Sequence, residues 1–219
     1  LPNLATQAGS KFKTRVLVRI DADGKSTETT DSVEPGTVLI RWHALQQVLT
    51  QLLPSELIVP GHSLLTFVEQ EDSVLLHFEN GNVVRAKIVI GADGTFSTVR
   101  KIMAFPNDHL IYFGQMNWNA VVPTSSLPAN VHPSNAIKAI SSDAEPKWSS
   151  YINDCGGSHS FVQLRIADPT KALALSGNRG RGGLGLKGVK ENLLPIVQAS
   201  QDLTAVLEAI PEEQIFERC

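Results

Sequence analysis

Residues 86–100 constrain this chain more than any other stretch. Three consecutive β-branched residues, Ile88-Val89-Ile90, run into Gly91-Ala92-Asp93-Gly94, and Ser97-Thr98-Val99-Arg100 follow. A β-branched run of this kind suits a buried strand. Glycines directly after it permit positive φ and let a ligand approach the main chain. The pattern predicts a strand over residues 82–90, a sharp turn with a single acid, and a helix opening at Val99 and Arg100. In a parallel sheet, cofactors sit at the carboxyl ends of strands. An ordinary strand–turn–helix without any ligand satisfies the same pattern.

The 219 residues can form one large domain or two small ones with a sizeable core. A composition 42% hydrophobic and 19% charged is that of a globular protein. The net charge of −3, with no blocks of Lys or Arg, gives no electrostatic case for nucleic acid. No apolar stretch is long enough to predict a transmembrane segment. Leu1-Pro2-Asn3-Leu4 has neither the charge nor the apolar run of a secretory signal, and without an initiator Met it predicts a processed or partial chain. Two cysteines, Cys155 and Cys219, make no disulfide framework and favour an intracellular setting, cytoplasm or organelle. Cys219 directly after Ile215-Phe216-Glu217-Arg218 reads as a cut end. Oligomeric state is not written in the chain.

Taken in order, residues 14–20 and 25–30 predict a hairpin turned at Asp21-Ala22-Asp23-Gly24. The clearest helix is residues 41–53, where Leu45, Val48, Leu49 and Leu52 share one face and Pro54 stops it. Arg41 enters that helix at its first turn, where a cation opposes the helix dipole. A local anion or polar ligand explains such a choice; so does a solvated surface side chain. Residues 56–60 predict a short strand, and residues 64–70, 73–79 and 82–90 a β-meander whose second turn is Asn80-Gly81. Beyond residue 102, residues 111–114, 118–122, 151–152 and 160–166 read as strands separated by Pro-, Ser- and Asn-rich loops. Val189, Leu193 and Val197 suit a helix containing Pro195, and Leu203, Val206, Leu207 and Ile210 suit another ending at Pro211.

Two further clusters carry weaker signals. Gly183-Leu184-Gly185-Leu186-Lys187-Gly188 spells a dinucleotide fingerprint, with Asp202 at about the right distance. It follows a flexible basic loop where the fingerprint requires a buried strand, so it reads as a mobile loop. Asp154-Cys155-Gly156-Gly157-Ser158-His159 gathers a thiol, a hydroxyl and an imidazole but lacks a nucleophile elbow or a paired Cys-x-x-Cys. A polar turn is the expectation there. The remaining histidines show no ligand spacing, and neither a catalytic residue nor a metal ligand is assigned.

Together these residues resemble the FAD-dependent aromatic hydroxylase, or flavoprotein monooxygenase, family, including its zeaxanthin epoxidase-like and salicylate hydroxylase-like branches. Residues 91–100 look like the family's Asp-Gly motif, and Arg41-Trp42-His43-Ala44-Leu45-Gln46-Gln47-Val48-Leu49 looks like its Arg-x-x-Leu-x-x-x-Leu helix. Tyr112-Phe113-Gly114 and Trp118 are similar to strands opening the substrate-facing sheet, and residues 211–218 to the segment before the third motif. The resemblance implies cofactor-binding roles for Arg41, Gly91, Asp93, Gly94 and Arg100. Asp93 accepts from cofactor hydroxyls, the glycines allow close approach, and Arg41 meets the flavin tail.

The family's amino-terminal Gly-x-Gly-x-x-Gly unit and its later Gly-Asp motif have no counterpart in the sequence. The resemblance therefore implies a central fragment that binds FAD poorly alone, because a dinucleotide needs a pyrophosphate cradle. The expected class is α/β (α+β). Residues 1–101 would form a partial FAD-binding Rossmann-like domain with a β-meander, and residues 102–175 a β-rich substrate-domain segment. Residues 176–219 would hold a glycine-rich loop and C-terminal helices. The implied activity is hydroxylation or epoxidation of a small apolar or aromatic substrate with FAD, O2 and NADPH or NADH. The rival expectation is a non-catalytic degenerate paralogue or interaction module.

Overall fold

The computed structural model describes residues 8–104, 111–131, 136–170, 173 and 188–218. It is a mixed α/β chain of two units, Leu1–Leu49 with Tyr112–Cys219, and Thr50–Ile111. The boundary drawn from sequence at residues 101/102 does not coincide with this division. The first hairpin, assigned from sequence to the cofactor part, shares a sheet with strands from the second half of the chain.

In the larger unit, β1 (Ser10–Lys11) pairs with β4 (Val38–Leu39). The hairpin β2 (Thr14–Ile20) and β3 (Ser26–Ser32) turns where the Asp21 carboxylate accepts from the Asp23 and Lys25 backbone N–H groups at 3.0 and 2.8 Å. Four longer strands follow: β8 (Gln115–Pro123), β9 (Ala136–Ser142), β10 (Trp148–Asp154) and β11 (His159–Ala167). With β12 (Phe216–Arg218) they form a seven-stranded sheet of order β12-β8-β11-β10-β9-β2-β3. Every neighbouring pair is antiparallel except β2 and β9, which run parallel in register from Thr14↔Ala136 to Ile20↔Ser142.

Alternation along these strands sets the core. Met116, Trp118, Ala120 and Val122 on β8, with Val162, Leu164 and Ile166 on β11, lie on one face and are buried. They pack in one cluster with Val189, Leu193 and Val197 of α3 (Val189–Val197) and with Leu203, Val206 and Leu207 of α4 (Gln201–Ala209). The i, i+4, i+8 spacing in α3 gives the apolar stripe that the sheet covers. Ser200 caps α4, its Oγ accepting from the Leu203 N–H at 3.2 Å. Pro195 lies inside α3, as the sequence predicted.

The smaller unit contains the predicted meander, β5 (Leu64–Glu69), β6 (Val74–Phe78) and β7 (Val83–Ala86), in the order β5-β6-β7. Asn80-Gly81 makes its turn: Gly81 has φ +84, and the Asn80 side chain accepts from the Asn82 N–H at 2.9 Å. A short helix, α2 (Thr98–Met103), follows the glycine turn.

Several sequence expectations change. The strand predicted over residues 82–90 ends at Ala86, and Ile88 and Ile90 are 79% and 85% exposed. A buried strand needs hydrogen-bonded neighbours, and no described strand pairs with residues 88–90. Residues 56–60 form no strand; Ser55–Leu57 is a single 3₁₀ turn set by Pro54. Residues 111–114 are irregular, and the strand begins at Gln115.

Strand β9 falls where the sequence suggested loop, because Lys138 occupies a column of otherwise small or apolar inward residues. The helix α1 (Trp42–Thr50) stops short of residue 53, and its buried side chains are Ala44 and Val48, while Leu49 and Leu52 are exposed.

Candidate cofactor-binding elements

The glycine turn is built around one carboxylate. Asp93 Oδ1 accepts from the Ser97 hydroxyl at 2.5 Å, and Oδ2 accepts from the Thr98 and Val99 N–H groups at 2.6 and 3.2 Å. Ser97 Oγ in turn accepts from the Arg100 N–H at 2.9 Å and caps α2. The Arg100 guanidinium donates to the Thr95 carbonyl. The Ser97 hydroxyl is the main cause that holds the Asp93 carboxyl below its ordinary range; desolvation opposes it, and the Val99 and Thr98 amides each add a smaller lowering.

Glycine is required at two positions of this turn for different reasons. Gly94 has φ +81, open to glycine without strain. At Gly91 the cause is space, since a Cβ would lie 2.8 Å from Val99 Cγ1. Four of the five predicted contacts, Gly91, Asp93, Gly94 and Arg100, are thus gathered in one ten-residue turn. Asp93 is exposed and keeps accepting capacity on Oδ1. It can take a hydroxyl donor while remaining fixed by α2.

Arg41 lies in the other unit, at the residue before α1, where its carbonyl accepts from the Leu45 N–H at 2.9 Å. Its guanidinium rests against the β10–β11 turn: a Cβ on Gly157 would come within 2.6 Å of Arg41 Nη2. Gly156 and Gly157 both have positive φ, +86 and +61, and a Cβ on Gly156 would collide with the Ala8 carbonyl. Arg41 Nε is buried and has no hydrogen-bond partner among the described residues. An orphaned buried donor of this kind costs free energy unless a ligand or water completes it.

The Cys155 cluster is this same turn. Cys155 Sγ donates to the His159 carbonyl at 3.2 Å, and burial pushes the thiol up to about 11, against the opposing field of Arg41. A thiol so raised is a poor nucleophile. His159 Nδ1 lies 2.6 Å from the Gly157 carbonyl. Among the described residues no group of three or more His, Cys, Asp or Glu is placed to hold a metal ion. The fingerprint-like residues 183–187 lie outside the described residues; Gly188, with φ +78, precedes α3.

The sequence reading missed two features. One is the Arg41–Gly157 contact; Gly156-Gly157 at a hairpin tip was its only local signal. The other is an amide pair on the sheet face opposite α3 and α4, where Gln163 Nε2 donates to Asn119 Oδ1 at 2.9 Å.

No family model matches the chain. In sequence it is similar to 3-amino-4-hydroxybenzoate 2-monooxygenase of Streptomyces cremeus, 36% identical over 91 residues, covering 42% of this chain and 23% of that protein. It is also similar to the chloroplastic zeaxanthin epoxidase of Prunus armeniaca, 30% identical over 98 residues, covering 45% of this chain and 14% of that protein. In structure it is similar to Klebsiella pneumoniae HpxO, solved with FAD and uric acid, with a TM-score of 0.67 at 13% identity. That likeness covers 97% of this chain and 52% of HpxO.

The fold is therefore that of FAD-binding hydroxylases. Over less than half of its length the chain is similar in sequence to monooxygenases and a zeaxanthin epoxidase, and in fold it is similar to FAD-binding hydroxylases. The matched portion spans less than a quarter of either curated relative and about half of the solved structure.

Proposed function

We propose that this chain is part of an FAD-dependent monooxygenase that inserts one atom of O2 into a small ring substrate. NADPH or NADH supplies two electrons, the second oxygen atom leaves as water, and the substrate C–H becomes C–OH or an alkene becomes an epoxide. FAD, when bound, supplies the electron transfer and oxygen activation. The observation that carries the reading is the Asp93 turn. Its carboxylate is held by Ser97, Thr98 and Val99 beside Gly94, whose positive φ and open surroundings permit close approach.

The residues present fit part of such a cofactor. Asp93 would accept from a cofactor hydroxyl, Gly94 would leave the backbone open beside it, Gly91 would let Val99 pack under the turn, and Arg100 would hold the turn through Thr95. In its own unit, Arg41 offers a buried Nε–H that no described group takes up, suited to a phosphate or carbonyl oxygen. A pyrophosphate cradle is not offered by α2, because its first amides are already taken by Asp93 and Ser97. The 219 residues by themselves would thus hold FAD weakly.

The test is made on the gene product as encoded: its flavin absorbance, then O2 uptake driven by NADPH or NADH in the presence of aromatic acids. A yellow protein whose Asp93→Ala variant binds FAD about tenfold more weakly, the scale of a lost hydrogen bond, bears the proposal out. A gene product that takes up no FAD overturns it and leaves the interaction-module reading, to which the exposed Ile88 and Ile90 then belong.

A further inference from the structure

We propose that residues 85–93 are a self-pairing strand, through which two copies of this chain join antiparallel about Val89 and close a symmetric dimer. The inference starts from how little the smaller unit buries. Among the described residues of Thr50–Ile111, Leu76 is the one buried apolar side chain. Leu57, Val59 and Leu65 are each more than half exposed, and Ile88 and Ile90 more so. A unit this small needs further apolar burial to be stable, and its exposed apolar surface marks a contact.

Within the unit, residues 88–92 have an open main chain. They follow β7 closely, and none of their N–H or C=O groups enters a hydrogen bond among the described residues. Unpaired main-chain groups beside exposed β-branched side chains are a template for another strand. The segment is also seated on α2, because Gly91 lies so close to Val99 that a Cβ would come within 2.8 Å of Cγ1.

The residues around Val89 select both the occupant and its direction. A two-fold axis at Val89 sets Ile88 opposite Ile90 of the second copy, and Val89 opposite its own counterpart. All four isoleucines then share one face, and β-branched pairs of this kind stabilise neighbouring strands. On the other face Arg85 stands opposite Asp93 of the second copy, with Lys87 diagonal to the same carboxylate.

Arg85, Lys87 and Asp93 are exposed, and Asp93 keeps accepting capacity on Oδ1. No ion pair among the described residues occupies Arg85 or Lys87. A parallel pairing in register would set each of these three charges against its own kind, which is destabilising. The antiparallel contact is isologous, so it closes at two copies instead of propagating. One short strand from each copy is a small interface of the transient class, with a Kd on the order of 10 μM.

The experiment is sedimentation velocity on the 219-residue chain, without FAD, from about 1 to about 200 μM. A concentration-dependent passage from monomer to dimer is expected. Arg85→Glu brings an acid against Asp93 of the second copy twice over, and is expected to weaken dimerisation about tenfold. Lys87→Gln removes only the diagonal contacts and is expected to weaken it less. Ile88→Lys puts two cations into the isoleucine cluster and is expected to abolish it.

Circular dichroism checks that each variant keeps the parent's fold, and should Ile88→Lys misfold, Arg85→Glu decides. A chain that stays monomeric, species that grow beyond two copies, or an Arg85→Glu variant that dimerises like the parent overturns the proposal. Flavin binding is read in a separate assay, so a monomeric chain leaves the monooxygenase proposal standing, and a colourless dimer leaves this one standing.

Discussion

Asp93 shows how one side chain organises a turn. Its two oxygens take three donors from the next six residues, so the carboxylate acts first as the cap of α2. Because its pKa is depressed in the folded protein, it stabilises the turn above the unfolded value of 3.8 and loses that contribution as pH falls through the folded value. The wild type is therefore expected to unfold at higher denaturant than Asp93→Asn at pH 7, with the gap closing at lower pH; denaturant melts at a series of pH values measure it.

At Gly157, φ is +61 and a Cβ would meet Arg41, so Gly157→Ala is expected to cost more than about 1 kcal/mol in a denaturant melt. The first of these residues was legible, since Gly-Ala-Asp-Gly ahead of Ser and Arg spells a turn and a cap locally. The Arg41–Gly157 contact was not, because it joins positions more than a hundred residues apart.

At the scale of elements, β9 is tied to α4 by one ion pair. Lys138 Nζ, on a side chain 9% exposed, lies 2.6 Å from Asp202 Oδ2, whose side chain is 34% exposed. Removing the acid strands a nearly buried ammonium. Asp202→Ala is expected to cost about 3 kcal/mol, the lower part of the range for breaking a buried pair because Asp202 is a third exposed. Lys138→Met is expected to cost less, because it removes the buried charge together with its partner's role. Thermal melts of the two variants distinguish them.

The same lysine hid β9 in the sequence, since alternation is read by hydrophobicity and a paired cation in the buried column breaks it. Residues 88–90 mislead in the opposite direction. Their composition states what a strand would bury, but strand formation depends on neighbours that composition does not supply. The meander, α3 and α4 were legible because their turns and stripes are local.

For the whole molecule, the α/β class and the FAD-hydroxylase fold were legible, while the division into units was not. A strand from residues 14–20 lies in the sheet of residues 115–167, a pairing that no local pattern announces. The proposed cofactor contacts Asp93 and Arg41 fall in different units of the chain. Purified as these 219 residues and passed through gel filtration with excess FAD, the protein is expected to emerge colourless. A stoichiometric flavin spectrum in the eluted peak is the contrary outcome.

The parallel pairing of β2 with β9 also has a consequence for timing. On the ribosome the first hairpin is complete by residue 32, yet β2 gains its second neighbour only after residue 142 has been made. For more than a hundred residues of synthesis, Val16 and Val18 wait on a two-stranded ribbon that is marginal in water by itself. The fully polar β3, Ser26–Ser32, guards one edge of that ribbon in the meantime. The other edge, β2, is the one that must stay unclaimed until its partner emerges. A nascent chain stalled before residue 136 is the form of this protein most exposed to pairing with the wrong strand.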